Sequence, residues 1–234
     1  MIRNAIAAIL VWFLASCVTT PAPNPILVSQ IDSQFNANPS RTYQASGKFK
    51  RPIAYKVGQY VVTGMTSPSE RSVMKMAIVG KEQDGWILET HSLTQNSESV
   101  TQMLVVGLDT VYRTGTIDDL DILWVKVKPD GNSVQTIEGP ILAMTKGLYK
   151  NALAGLEVQS QIMADGGTVS VPAGRFKGTA KISSEVSFMG KKHLSSAWIH
   201  PSVPINAMVK SVSDDGDTTI ELLGFGLSGA KRSF

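Results

Sequence analysis

The chain has few of the residues that most often carry out chemistry. It contains one cysteine and three histidines in 234 residues, and no two histidines have the short spacing of zinc ligands on one helix. A single cysteine excludes a disulfide within the chain. No serine stands in a G-x-S-x-G turn. The sequence therefore predicts no metal site, no cofactor and no catalytic residues, and we expect a protein that is not an enzyme.

Neither positive nor negative charge is in large excess. The chain has 22 Lys and Arg residues against 19 Asp and Glu residues, and its densest basic patches are residues 191–193 and 231–232. A nucleic-acid-binding surface needs a basic stripe or patch, so we expect no nucleic-acid partner. The acidic clusters at residues 118–121 and 214–217 lack the closing Glu of an EF-hand loop. We expect both clusters to be exposed turns.

The apolar run near the N-terminus is too short to cross a membrane. It extends for about 11 residues from Ala5 to Ala15, whereas a spanning helix needs about 20 and the apolar part of a signal peptide 7–15. Arg3 precedes the run, and a proline-rich polar segment follows it. The run ends in Leu-Ala-Ser-Cys at residues 14–17, which resembles the lipobox of bacterial lipoprotein signal peptides.

This resemblance implies a place in the cell. It implies that residues 1–16 are removed and that Cys17 receives a diacylglyceryl group on its thiol, with or without a further acyl group on its new amine. Two acyl chains hold a protein stably at a membrane, whereas one does so only marginally. Because Val18 rather than Asp follows Cys17, the resemblance further implies the outer membrane, with the domain facing the periplasm. The alternative is an ordinary secretory signal with a cysteine there by chance.

The remaining chain divides into two parts. Residues 17–52 are predicted to be the lipidated cysteine and a flexible tether, because prolines and polar residues dominate them. A short helix over residues 26–35 is the alternative there, since apolar residues recur every four positions. Residues 53–234 are predicted to form one β-rich periplasmic domain.

Period-two patterns recur from Ile53 onward, as in Met74, Met76 and Ile78. We expect roughly ten strands joined by short turns, without βαβ alternation. The predicted class is mainly β (α+β), a curved antiparallel sheet or half-barrel. One helix is predicted over residues 140–154, because Pro140 suits a first helical position and Gly155 the residue after the end. We expect this helix, or two, against the concave face.

Two short motifs resemble those of uncharacterised periplasmic proteins and lipoproteins. Residues 171–176 (Val-Pro-Ala-Gly-Arg-Phe) are similar to a V-P-A-G-x-F turn, and residues 198–204 to a W-x-x-x-x-V-P segment. Such chains resemble the half-barrel group of the lipoprotein carrier and receptor proteins LolA and LolB. The resemblance implies a sheet with an apolar concave face, but no element of lipoprotein transfer. Physically, Pro172 and Gly174 predict a tight corner, with Trp198 near it.

The methionines lead to two functional hypotheses. In the first, a groove binds an apolar ligand, an acyl chain or a peptide, because methionine suits adaptable apolar surfaces. The candidate lining residues are Met74, Met76, Ile141, Met144 and Leu148. In the second, these residues fill a core and the protein is a structural or assembly partner of an envelope complex. An open cavity favours the first hypothesis and a filled core with a bare strand edge favours the second; a cleft with paired carboxylates or a histidine would indicate an enzyme.

Overall fold

The computed structural model describes residues 22–36, 41–45, 53–114, 118–129, 133–152, 162–188 and 191–234. Its helices are α1 (Pro25–Phe35), α2 (Leu108–Thr114) and α3 (Gly139–Ala152). Its strands are β1 (Thr42–Gln44), β2 (Tyr60–Thr66), β3 (Arg71–Glu82), β4 (Gly85–Leu93), β5 (Glu98–Val106), β6 (Asp121–Pro129), β7 (Gln135–Ile137), β8 (Ile162–Val171), β9 (Gly174–Phe188), β10 (Lys191–Ile199), β11 (Met208–Ser213) and β12 (Thr219–Gly226). None of these helices is long and apolar enough to span a membrane.

The described strands form one open, curved sheet. Its order is β1-β9-β10-β11-β12-β2-β3-β4-β5-β6-β7, and β8 pairs with the other side of β9. Every pairing is antiparallel except that of β1 with β9. The prediction of a mainly β half-barrel with few helices is confirmed, with two more strands than the rough count from the sequence.

The sheet has two differently covered faces, and the alternation along each strand decides which residues lie on each. The inner, concave face carries the main core, in which Ile78, Leu88 and Phe176 are fully buried. Leu108 and Val111 of α2 join this core from one end. The outer, convex face carries two smaller clusters, one around Ile31 and one around Ile87. The fold therefore buries apolar side chains on both faces of its central strands.

The predicted flexible tether over residues 17–52 is wrong for the two parts of it that the structure describes. α1 begins at Pro25, with the side chain of Asn24 accepting a hydrogen bond from the Ile26 amide at 3.0 Å, and it packs on the outer face rather than the concave one. Leu27 and Ile31 are buried there. β1 pairs with β9, so it too belongs to the domain. Residues 1–21, which include Cys17, lie outside the described part.

The helix predicted over residues 140–154 is present as α3, but its packing differs from the prediction. Leu142 is buried in the main core, whereas Ile141 is 65% exposed and Met144 87% exposed. The expectation that Ile141 and Met144 pack on the concave face is therefore wrong. The helix is oriented about its axis so that the side bearing Leu142 faces the main core and the side bearing Ile141 and Met144 faces away from it. The side chain of Leu148 lies outside the described part.

Candidate functional site: an open sheet edge beside an exposed apolar helix

The proposed groove-lining residues do not share one environment. Met76 is buried in the main core, while Met74, two positions earlier on the same face of β3, is 41% exposed. Ile141 and Met144 are exposed on α3, which packs against β6. The structure thus brings Ile141 and Met144 together on one helix and leaves the two strand methionines elsewhere. No sequence signal shows which of the five side chains point inward.

The described part of the concave face is packed with side chains from most strands. Trp86, Met103 and Val125 pack there with Leu222 and Val209 in a single cluster. Interiors of this kind reach the packing density of organic crystals. These clustered residues therefore form a core rather than the walls of an open groove, while Met74 at the margin of the face stays exposed.

Two of the edge strands of the sheet, β8 and β7, differ in how well they are protected. β8 has three register shifts in its pairing with β9, two of them at Gly167, and bulges of this kind prevent an edge from templating another strand. β7 pairs with β6 in regular register, and no described strand pairs with its other side. Of these two described edges, β7 is therefore the more regular one, although it is only three residues long.

Exposed apolar side chains accompany this open edge. Val134 directly precedes β7 and Leu123 lies on β6, and each is 41% exposed. α3 starts two residues after β7 and carries Ile141 and Met144. Lys146 of α3 makes an exposed ion pair with Asp121 at the start of β6, so the helix lies beside this edge. We call β7, Val134, Leu123 and the exposed side of α3 the β7 edge.

A second feature is a cleft between α1 and the outer face. Its volume is about 270 Å³, and its floor is formed by Val62, Val73 and Leu93. His91 and Glu98 lie at its side, with the His91 Nε2 2.6 Å from the Glu98 Oε1. Binding sites for small molecules usually start at about 300 Å³, so the cleft is at the lower limit of such sites.

The cleft has a serine but not the geometry of an activated nucleophile. Ser33 lines it together with His91. However, the Ser33 hydroxyl donates to the Gln30 carbonyl at 2.7 Å, whereas nucleophilic catalysis requires a hydrogen bond from the serine to its base. Among the described residues, no group of three or more His, Cys, Asp or Glu side chains is arranged to hold a metal ion.

A buried polar cluster on the outer face was missed by the sequence reasoning. Glu89 is 6% exposed and Gln102 1% exposed. The carboxylate of Glu89 accepts from Gln102 Nε2 at 2.8 Å, from the Ser233 amide at 2.9 Å and from the Ser233 hydroxyl at 2.7 Å. Gln102 also donates to the Phe234 carbonyl oxygen. The C-terminal tail, residues 227–234, is therefore bound across the outer face by these two side chains.

The two short motifs form structural elements of the described sheet. Gly174 has φ +147°, and a Cβ there would lie 2.8 Å from the Arg41 carbonyl oxygen, so the corner requires glycine. The aromatic ring at this corner is Tyr43 rather than the expected Trp198, which lies beside Gly166 and Lys181 instead.

The second motif forms a buried loop between β10 and β11. Ile205 and Ala207 have positive φ values of 67° and 57°, and Val203 is fully buried. Positive φ in β-branched and alanine residues is costly and persists where the surrounding packing imposes it. The loop thus closes one end of the core.

His200 is the most buried ionisable group of this loop, with none of its surface exposed. Its Nε2 donates to the Lys177 carbonyl oxygen and its Nδ1 accepts from the Ser202 amide, each at 3.2 Å. This arrangement fits a neutral imidazole. Burial lowers the pKa of His200 below its usual 6.5, partly opposed by the hydrogen bond to Lys177.

We expect this histidine to make the fold less stable in mild acid. Since the folded pKa lies below the unfolded 6.5, the unfolded chain binds the proton first, and stability falls as the pH drops below about 6.5 by at most about 1.4 kcal/mol per unit. Urea unfolding between pH 8 and pH 5 measures this slope. The His200→Gln variant should have a lower stability overall and a shallower slope; equal slopes in the two proteins would contradict the prediction.

Burial also favours the neutral form of Tyr55, which lies at the α2 end of the sheet. Burial, together with Asp109 and Tyr112, raises the pKa of Tyr55 to about 12. Its ring contacts those of Trp86 and Tyr112 edge-on. A phenol with this pKa stays protonated at neutral pH, so it cannot act there as a base.

Comparison with known proteins assigns no family. No protein-family description and no curated protein matches the chain. Among solved structures, the sheet is similar to a protein of Bacteroides fragilis described as exported and of YmcC-like fold. The identity is 9% and the TM-score 0.33, over 75% of this chain and 99% of that chain. This likeness is too low to carry an argument about function.

Proposed function

We propose that this chain is a lipid-anchored protein of the bacterial envelope that acts without catalysis, by binding a partner protein at the β7 edge. The anchor is Cys17, acylated after removal of residues 1–16, with the domain facing the periplasm from the outer membrane. The observation that carries the binding role is the combination of an edge strand whose far side pairs with no described strand and exposed apolar side chains on the adjacent helix.

The contrast between the concave face and the β7 edge supports a partner protein over an apolar ligand bound inside the sheet. The described concave face is a packed core, whereas the β7 edge keeps Met144 87% exposed and Ile141 65% exposed. An extended segment of a partner can add to such an edge through main-chain hydrogen bonds, while neighbouring side chains supply specificity. A filled core with a bare strand edge is what the assembly hypothesis requires.

The anchor predicts a large change in location when the cysteine is replaced. The Cys17→Ala protein should appear in the soluble fraction of the envelope, because no acyl chains would hold it. The Val18→Ala protein is the matched control and should stay with the membranes after a high-salt wash. Fractionation followed by mass measurement of the N-terminal peptide tests this, and a membrane-bound Cys17→Ala protein would overturn the anchor.

The binding role predicts a site-specific contact in intact cells. A photo-crosslinking residue at Met144 should yield one discrete adduct, and Ile141→Asp should reduce it at least fivefold by placing a charge in the apolar contact. Ile26→Asp is the matched control, since Ile26 is equally exposed, at 67%, but lies on α1. Neither substitution should change the melting temperature by more than a degree or two, because both sites are exposed.

Two results would contradict the binding role. One is the absence of an adduct at Met144; the other is an adduct that Ile141→Asp leaves unchanged. Native mass spectrometry of the purified protein completes the test, because a co-purified lipid would favour the apolar-ligand hypothesis instead.

A further inference from the structure

One end of the sheet carries three short turns between neighbouring strands. These turns are residues 67–70 between β2 and β3, residues 94–97 between β4 and β5, and residues 214–218 between β11 and β12. The pairings Thr66↔Arg71, Leu93↔Glu98 and Thr219↔Thr66 place them side by side. We call this the hairpin end. The opposite end, with the 83–84 turn, α2 and the 200–207 loop, is the loop end.

The first described residues of the chain are attached to the hairpin end. The Asn24 amide donates to the carbonyl oxygen of Gln95, in the β4–β5 turn, at 2.9 Å. The side chain of Asn24 caps α1 at the same time. Asn24 is thus tied both to the helix and to the turn.

α1 itself stays close to this end of the sheet. Asp32 of α1 lies 3.1 Å from Arg71, the first residue of β3. The ring of Phe35 packs over Gly64 near the end of β2, where a Cβ would lie 2.4 Å from it. The position of Asn24, the described residue from which the tether length to Cys17 is counted, is therefore fixed by its own hydrogen bond and by the contacts of α1.

The length of chain between Cys17 and Asn24 limits where a membrane can lie. Seven peptide units join the two residues, and at about 3.6 Å each they reach at most about 25 Å. The nine residues of β4 are separated by eight steps, which span about 27 Å from the loop end to the hairpin end. Gln95, to which Asn24 is bonded, lies two residues beyond that strand. If the loop end faced the bilayer, Asn24 would lie at least about 27 Å from it, beyond the reach of the tether.

We propose that the hairpin end of the domain faces the lipid surface and the loop end projects away from it. This orientation rests on the proposed acylation of Cys17, and it adds which surface of the domain lies against the bilayer. The surface that the hairpin end faces is the membrane to which the chain is attached. The short tether and the fixed position of Asn24 do not allow the loop end to reach that membrane.

Energy transfer to labelled lipids tests the orientation in the full lipidated chain. One fluorophore is attached at Asn96→Cys, in the β4–β5 turn, and in a second protein at Asp84→Cys, in the β3–β4 turn; both positions are exposed. Acylated Cys17 does not react with the label. In phosphatidylethanolamine vesicles with a headgroup acceptor, we expect transfer from position 96 to be at least twice that from position 84.

A longer tether is the matched control. Ten Gly and Ser residues inserted after Pro21 more than double the reach, so the difference between positions 96 and 84 should shrink. Equal or reversed transfer in a chain whose acyl groups are confirmed by mass would overturn the orientation alone. A chain without the acyl mass would overturn the anchor, and the orientation with it.

Discussion

Replacing Ile31 with alanine should lower the free energy of unfolding by about 2–5 kcal/mol, the usual cost of truncating a buried aliphatic side chain. Ile31 is 1% exposed and packs with Val73 and Leu223 on the outer face. The collapse of α1 onto the sheet cannot refill the space, because Phe35 is already pressed against Gly64. Chemical denaturation of the two proteins measures the difference.

Ile26→Ala is the matched control for this result. Ile26 lies on the same helix but is 67% exposed, so we expect a change of less than about 0.5 kcal/mol. Equal effects at the two positions would mean that α1 does not dock on the sheet in solution.

A flexible tether over residues 17–52 could be removed without loss of stability, but these contacts make α1 and β1 part of the folded domain. A chain that starts at Arg51 loses α1 and also β1, whose Tyr43 stacks on Phe176 with 4.7 Å between ring centroids. Its loss of stability should exceed that of Ile31→Ala. An unchanged melting temperature of the shortened chain would restore the flexible-tether interpretation.

Replacing Glu89 with alanine should cost about 3 kcal/mol, because it leaves Gln102 and Ser233 without their acceptor in a buried place. The carboxylate accepts three hydrogen bonds, two of them from the C-terminal tail. Without it the tail should detach, exposing Ile87 and Leu104 beneath Ala230. Faster proteolysis at the C-terminus and a lower denaturation midpoint are the expected readouts.

Glu82→Ala controls for the loss of a carboxylate near the same tail. Glu82 pairs with Arg232 at 2.8 Å, but both side chains are well exposed, and such surface pairs contribute about 0–1 kcal/mol. A double-mutant cycle between Glu89→Ala and Ser233→Ala should also show coupling, since the two side chains share hydrogen bonds. Strict additivity, or a Glu82 effect equal to that of Glu89, would contradict the proposed binding of the tail.

From the sequence, an open strand edge could be predicted only as part of the second functional hypothesis, and its position in the sheet could not be predicted. Regular period-two patterns identified most strands, but pairing order is a property of the whole chain, so no local pattern showed that β7 would lie at an end of the sheet. The exposed side of α3 illustrates the same limit. The helix at residues 140–154 followed from Pro140 and the apolar spacing, yet its apolar residues surround much of the axis, and only packing selected Leu142 as the buried one.

The sequence by itself determined the local elements: the mainly β class, the helix after Pro140 and the corner at Gly174, whose positive φ admits little besides glycine. These follow from short-range sterics and from side-chain periodicity, which act within a few residues. Only the tertiary structure decided that α1 docks on the outer face and that Glu89 binds Ser233, 144 positions away. Those contacts depend on which strands become neighbours, and strand order is set by burial summed over the entire sheet rather than by any segment of it.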